Sequence, residues 1–126
     1  MPDEYVSLVT ALKALQQEED PGTTESVMIT LPMAENEWYT RPDAVSYGTV
    51  SIDFESDRMN GDGQKIDTSY SGSVDLFSLS KNGAGWVNLI TETLNEHCGA
   101  SWSLNSHTYE RETQLFHWEW TFEVVG

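Results

Sequence analysis

The sequence predicts an α+β fold: a mostly antiparallel β-sheet of about four to five strands, with an N-terminal helix and one central helix packed on it. Three observations predict it. Phe116, Trp118, Trp120, Phe122 and Val124 fall on every second residue, with His117, Glu119, Thr121 and Glu123 between them. A period of two marks a strand with one buried and one wet face. Two other segments carry apolar residues at the i, i+3, i+4, i+7 spacing of amphipathic helices. The order helix, strands, helix, hairpin suits a sheet with helices packed against it.

The elements follow in turn. Asp3 is a candidate cap for a first helix running to about Gln17, with Tyr5, Leu8, Val9, Leu12 and Leu15 as its stripe. Glu18-Glu19-Asp20-Pro21-Gly22 ends it, because acid opposes the dipole there and Pro21 cannot continue the helix. Ser26 to Leu31 is a β-branched run read as a strand, stopped by Pro32. Ala34 to Ser46 reads as irregular. Tyr47 to Glu55 alternates, with Val50, Ile52 and Phe54 on one face. Asp57 to Asp67 reads as a polar, glycine-containing loop, and Tyr70 to Leu79 as a strand with both faces partly covered, Val74 and Leu76 against Phe77 and Leu79. After a turn at Lys81-Asn82-Gly83, a helix from about Ala84 to His97 presents Trp86, Leu89, Ile90 and Leu94, and Gly99 stops it. Trp102 to Tyr109 is the next strand, and the aromatic strand follows it.

Register constrains that last hairpin. Trp102 and Leu104 belong on the face of Phe122 and Trp120, and a one-residue slip would separate them. A two-residue turn at Arg111-Glu112 separates them. A three-residue turn at Arg111-Glu112-Thr113 sets Trp102 opposite Phe122, Leu104 opposite Trp120 and Thr108 opposite Phe116. The expected connection is therefore odd in length.

The chain has 126 residues, enough for a single domain spanning 1–126. One cysteine, Cys98, excludes an internal disulfide. The opening MPDEYV carries acid where a secretory signal carries base, and no apolar run approaches the ~20 residues of a membrane span, so a soluble protein is expected. Six Lys and Arg face 21 Asp and Glu, a formal charge of −15. Phosphate backbones and anionic lipid surfaces would be repelled.

Few groupings suggest chemistry. Asn60, Asp62 and Gln64 alternate as in a calcium loop, but Lys65 stands where an EF-hand needs glycine and Ser71 where it needs glutamate. In the three-residue-turn register His107 and His117 oppose one another near Glu119, a weak candidate metal pair short of the three or four ligands such a site uses. His97 and Cys98 are adjacent in sequence and so do not face each other on a helix. No nucleotide-binding or hydrolase motif is present. The aromatic stripe lacks the interleaved Lys and Arg of a single-strand nucleic-acid platform. No enzyme activity and no cofactor are expected.

Val74-Asp75-Leu76-Phe77 leads through a short turn into one amphipathic helix, and Tyr109, Glu110, Glu112, Thr113, Leu115 and His117 surround the turn of the hairpin that follows. In these residues the stretch from Ser69 to Val125 resembles the C-terminal half of small tail-completion proteins of long-tailed bacteriophages, the tail terminators and neighbouring neck proteins. The resemblance implies a structural virion protein made in the bacterial cytoplasm and placed at the tail–head interface. It implies a homo-oligomeric ring, commonly a hexamer, that caps the tail tube and joins it to the head connector. An acidic lumen would let DNA pass without specific binding, and the segment carrying Asp57, Asp62 and Asp67 is the candidate lumen or inter-ring loop. Two alternatives remain: an acidic DNA mimic that inhibits a nuclease or DNA-binding protein, and a small enzyme or ligand carrier with a pocket beneath the aromatic sheet.

Overall fold

The computed structural model describes residues 3–18, 28–36, 38, 42, 44–59 and 65–125. Its elements are α1 (Asp3–Lys13), β1 (Gln16–Glu18), β2 (Met28–Thr30), β3 (Met33–Glu35), β4 (Ser46–Met59), β5 (Lys65–Ser78), α2 (Trp86–Cys98), β6 (Trp102–Glu110) and β7 (Leu115–Val125). The main sheet has five strands in the order β3-β4-β5-β7-β6, and β1 and β2 form a small separate ladder. Every pairing is antiparallel except that of β3 with β4. The fold is α+β, with an N-terminal and a central helix.

The aromatic strand takes the place its pattern assigns. Trp118, Trp120, Phe122 and Val124 are buried on one face of β7, between β5 and β6. They join one core with Val50 of β4, Val74 and Leu76 of β5, Tyr5, Leu8, Val9 and Leu12 of α1, and Trp86, Ile90 and Leu94 of α2. Trp120 is fully buried, and its indole Nε1–H donates to Thr91 Oγ1 on α2 at 3.3 Å. Phe116, at the strand's start, is only partly buried. The expectation for β5 holds in part: Val74 and Leu76 are buried and Phe77 is half-buried on the other face, but Leu79 lies past the strand's end and is exposed.

Four local expectations are corrected. First, α1 ends at Lys13, short of Gln17, because Gln16–Glu18 leaves the helix to pair with Met28–Thr30. That ladder brings Leu31 N–H to Leu15 C=O at 3.1 Å and lets Leu31 enter the core. Second, the stretch read as irregular contains β3, which runs parallel to Gly48–Val50. A Cβ on Gly48 would come within 2.8 Å of Met33 Cε and of Asp75 O, so the small residue lets β3 close on the sheet. Third, β4 and β5 run through most of the expected polar loop: Asp57 pairs with Thr68 and Asp67 with Arg58, while Asp62 lies outside the described residues. A bulge between Ile52 and Phe54 also changes the register, so Phe54 pairs with Ser71 and leaves the row of Val50 and Ile52.

Fourth, the β6–β7 connection is even. Glu110 pairs with Leu115, leaving the four residues Arg111–Gln114 in the turn, with Gln114 at φ 60° and its N–H on Glu110 C=O at 2.8 Å. A register shift between Leu104 and Ser106 restores what this parity would lose. Asn105 is the extra residue, and it leaves Trp102 opposite Phe122 and Leu104 opposite Trp120. Beyond it, Thr108 meets His117 instead of Phe116. The apolar residues face one another as register requires, but a bulge achieves it in place of an odd turn.

The sheet tolerates no side chain at Gly72, where a Cβ would sit 2.2 Å from Ser51 O and 2.7 Å from Phe122 Cζ. Gly72→Ala is expected to destabilise the fold by about 3 kcal/mol, the scale of an overpacked core. Urea unfolding measures it, and a midpoint equal to that of the unaltered protein would contradict this packing.

Candidate functional site

The face of the sheet away from the helices holds a polar cluster centred on His117. Its floor follows from register. Tyr47 of β4 pairs with Phe77 of β5, Phe77 with His117 of β7, and His117 with Thr108 of β6. The rings stack in that order: Tyr47 on Phe77 at 5.2 Å and Phe77 on His117 at 4.3 Å between centroids. Aromatic rows of this kind add cross-strand stabilisation on one face of a sheet.

His117 is held by two carboxylates. Its Nε2 lies 2.7 Å from Asp75 Oδ1, and its Nδ1 lies 3.4 Å from Glu110 Oε2. Asp75 stands one diagonal step away on β5, opposite Glu119. Glu110 stands at the end of β6, where its Oε1 also accepts from Thr113 Oγ1 at 3.3 Å. The imidazolium form donates from both nitrogens, one to each carboxylate, and so links β5, β7 and the β6–β7 turn. With its side chain 18% exposed, His117 is shielded from water by the Phe77 ring.

Its pKa is raised above the ordinary 6.5, foremost by the hydrogen bond to Asp75. Burial opposes the rise, and the charges of Asp75 and Glu110 and the Glu110 hydrogen bond add to it.

The sequence candidates scatter. His107 pairs with Trp118, stacking on that indole at 4.3 Å on the helix side of the sheet, whereas His117 lies on the opposite face. The proposed metal pair is therefore separated, because the Asn105 bulge moves His107 out of line with His117. Among the described residues no group of three or more His, Cys, Asp or Glu is arranged to hold a metal ion. Asp57 and Asp67 lie on adjoining rungs of β4 and β5. Among the described residues β7 pairs with β5 only from Ser69 onward, so there the rungs from Lys65 to Thr68 form a two-stranded ribbon extending past the rest of the sheet. Cys98 is a free thiol whose pKa burial pushes up to about 11, so little of it is thiolate near neutrality. An open trough of about 470 Å³ runs past Ser71, Ser101, Trp102, Ser103 and Thr121, with Glu123 its single ionisable residue.

The Asp75–His117–Glu110 cluster went unread as a site in the sequence. Asp75, Glu110 and His117 each belong to the motifs noted above, yet their meeting depends on β5 pairing with β7 across the intervening helix and β6. The signal was present as motifs and absent as a contact.

The chain matches no protein-family model, and no curated protein matches it.

The folded protein holds the His117 proton more tightly than the unfolded chain does. The resulting stability is complete below about pH 6.5 and is lost as pH rises through the raised folded-state pKa. His117→Gln is expected to flatten this dependence and to cost about 1–2 kcal/mol at low pH, the scale of charge-assisted hydrogen bonds. Thermal melts across pH on both proteins check it; a His117→Gln protein that keeps the slope would contradict the linkage.

Proposed function

We propose that the chain is a structural subunit of a phage tail-completion ring, a tail terminator or tail-to-head joining protein. The observation that carries this reading is the resemblance of Ser69 to Val125 to that family. The order β5, α2, β6, β7 supports it, because that is the strand–turn–helix–hairpin succession the resemblance requires. The two motifs that resemble the family also share one joint, in which Asp75 and Phe77 contact His117. These residues act in construction: they fasten the hairpin turn to the middle of the sheet.

Ring assembly, as the hexamer usual for the family, gives the projecting ribbon a purpose. An isolated two-stranded ribbon is marginal in water and gains stability from a neighbour. In a ring, the β4–β5 ribbon bearing Asp57 and Asp67 meets the next subunit, the lumen or the adjoining ring, with the tail tube protein on one side and the neck connector on the other. A surface with a formal charge of −15 repels DNA, so a genome slides past without adhering. The site of action in this reading is the virion at the junction of tail and head.

The same charge favours a second reading, an acidic DNA mimic that occupies the binding face of a nuclease or DNA-binding protein. Negative-stain microscopy of the protein mixed with tail tubes separates the two: the ring reading expects a cap at one tube end, and bare ends with retained binding to a nuclease favour the mimic. In the ring reading, replacing Asp57, Asp62 and Asp67 together with Lys leaves the subunit folded by circular dichroism and lowers infectivity at least about tenfold, by attracting DNA into the lumen. Unchanged plaque counts would sink the role given to these acids.

A further inference from the structure

The outer edge of β6 is a strand-docking site for a basic, extended protein segment, we infer, and it does not depend on ring assembly. Among the described residues β6 ends the main sheet and has β7 as its one neighbour. Ser101 C=O accepts from Glu123 N–H at 2.8 Å, so alternation turns the N–H and C=O of Trp102 and Leu104 away from β7. Past the Asn105 bulge, where Ser106, Thr108 and Glu110 pair with Glu119, His117 and Leu115, it turns those of His107 and Tyr109 toward the edge. Natural sheets guard long edges with Lys, Pro, bulges or a covering element. Residues 102–110 contain no Lys, Arg or Pro. The bulge at Asn105 is a guard here, pinned flat by its Nδ2–H donating to Thr121 Oγ1 at 2.9 Å. It leaves the reach from Ser106 to Glu110 open, the length of an ordinary strand.

The side chains beside that reach say what fits. On the helix-side face, His107 lies flat on Trp118 and Tyr109 stands edge-on to Phe116 at 4.9 Å, with Tyr109 51% exposed. This is an aromatic shelf next to backbone that no other described strand pairs with. The opposite face carries Glu110, with Glu119 one strand further in, opposite Ser106. A strand added along Ser106–Glu110 alternates its side chains between the two faces. Lys or Arg suits both: the cation and its stem lie over Tyr109 and His107 on one side and meet the carboxylates on the other. A second copy suits neither, since each copy brings a net charge of −15. The occupant is therefore a cationic β-strand of another protein, recognised through main-chain hydrogen bonds and charge.

Three synthetic peptides test this: a short strand-former alternating Lys and Val, the same peptide with Glu for Lys, and the Lys peptide N-methylated on alternate amides. Amide hydrogen exchange by NMR reads where each binds. The Lys peptide is expected to slow exchange at the His107 and Tyr109 amides at least about tenfold, with the effect weakening as salt rises. Tyr109→Lys, a change at an exposed side chain, is expected to weaken binding at least about fivefold while the spectrum stays folded. Equal binding of the Glu peptide, equal binding of the methylated peptide, or protection confined to other elements would each overturn the inference. So would self-association without peptide that protects the same amides, which would give the edge to a second copy. None of these results bears on a cap at a tail-tube end, so the two proposals fail separately.

Discussion

The structure depends on one buried surface: the Trp118, Trp120, Phe122 and Val124 face of β7. β7 lies inside the sheet, so those side chains touch neighbours from β5 and β6 as well as both helices. Burying large apolar side chains stabilises by about 1.5–3 kcal/mol each, and four of them in one strand set where everything else packs. Gly72, directly opposite Phe122, has no side chain because that ring fills its space. The helix stripes of α1 and α2 are then the lids that this face requires.

The β6–β7 hairpin shows how such a demand propagates. A four-residue turn is locally sound, with Gln114 in a left-handed conformation and its amide on Glu110. Taken alone, it would send Trp102 and Leu104 to the wrong face. The core cannot spare Trp102, which packs against it, so the chain inserts Asn105 as a bulge and recovers register midway along the strand. The same insertion parts His107 from His117 and leaves them on opposite faces of the sheet. One constraint in the core thus decides the chemistry of two surface histidines.

On the far face the energetics are electrostatic. A chain with 21 acids and six Lys and Arg has few cations to spend on its carboxylates. His117 becomes a local counter-charge, held between Asp75 and Glu110 and roofed by Phe77. This joins the centre of the sheet to its hairpin turn. It also makes that joint responsive to pH, because the hydrogen bond to Asp75 raises the His117 pKa above its ordinary 6.5 and the positive charge is lost as pH climbs through it.

Periodicity alone determined the α+β class, both helices, the strand identity of β4 to β7, the aromatic core face and the shared facing of Trp102 and Leu104 with Phe122 and Trp120. These are local properties, because side-chain period reports backbone period wherever one face is buried. Glycine chemistry likewise placed the stop at Gly99, whose φ is 59°. The tertiary structure decided what depends on partners distant in sequence. Leu15 and Leu31 turn the end of a helical stripe into a ladder, and Gly48 gives β3 its parallel place. Asn105 absorbs a parity error, and the pairing of β5 with β7 brings Asp75 to His117. Each rests on a register between strands, and register is set by which side chains the finished core can enclose, a quantity no single segment contains.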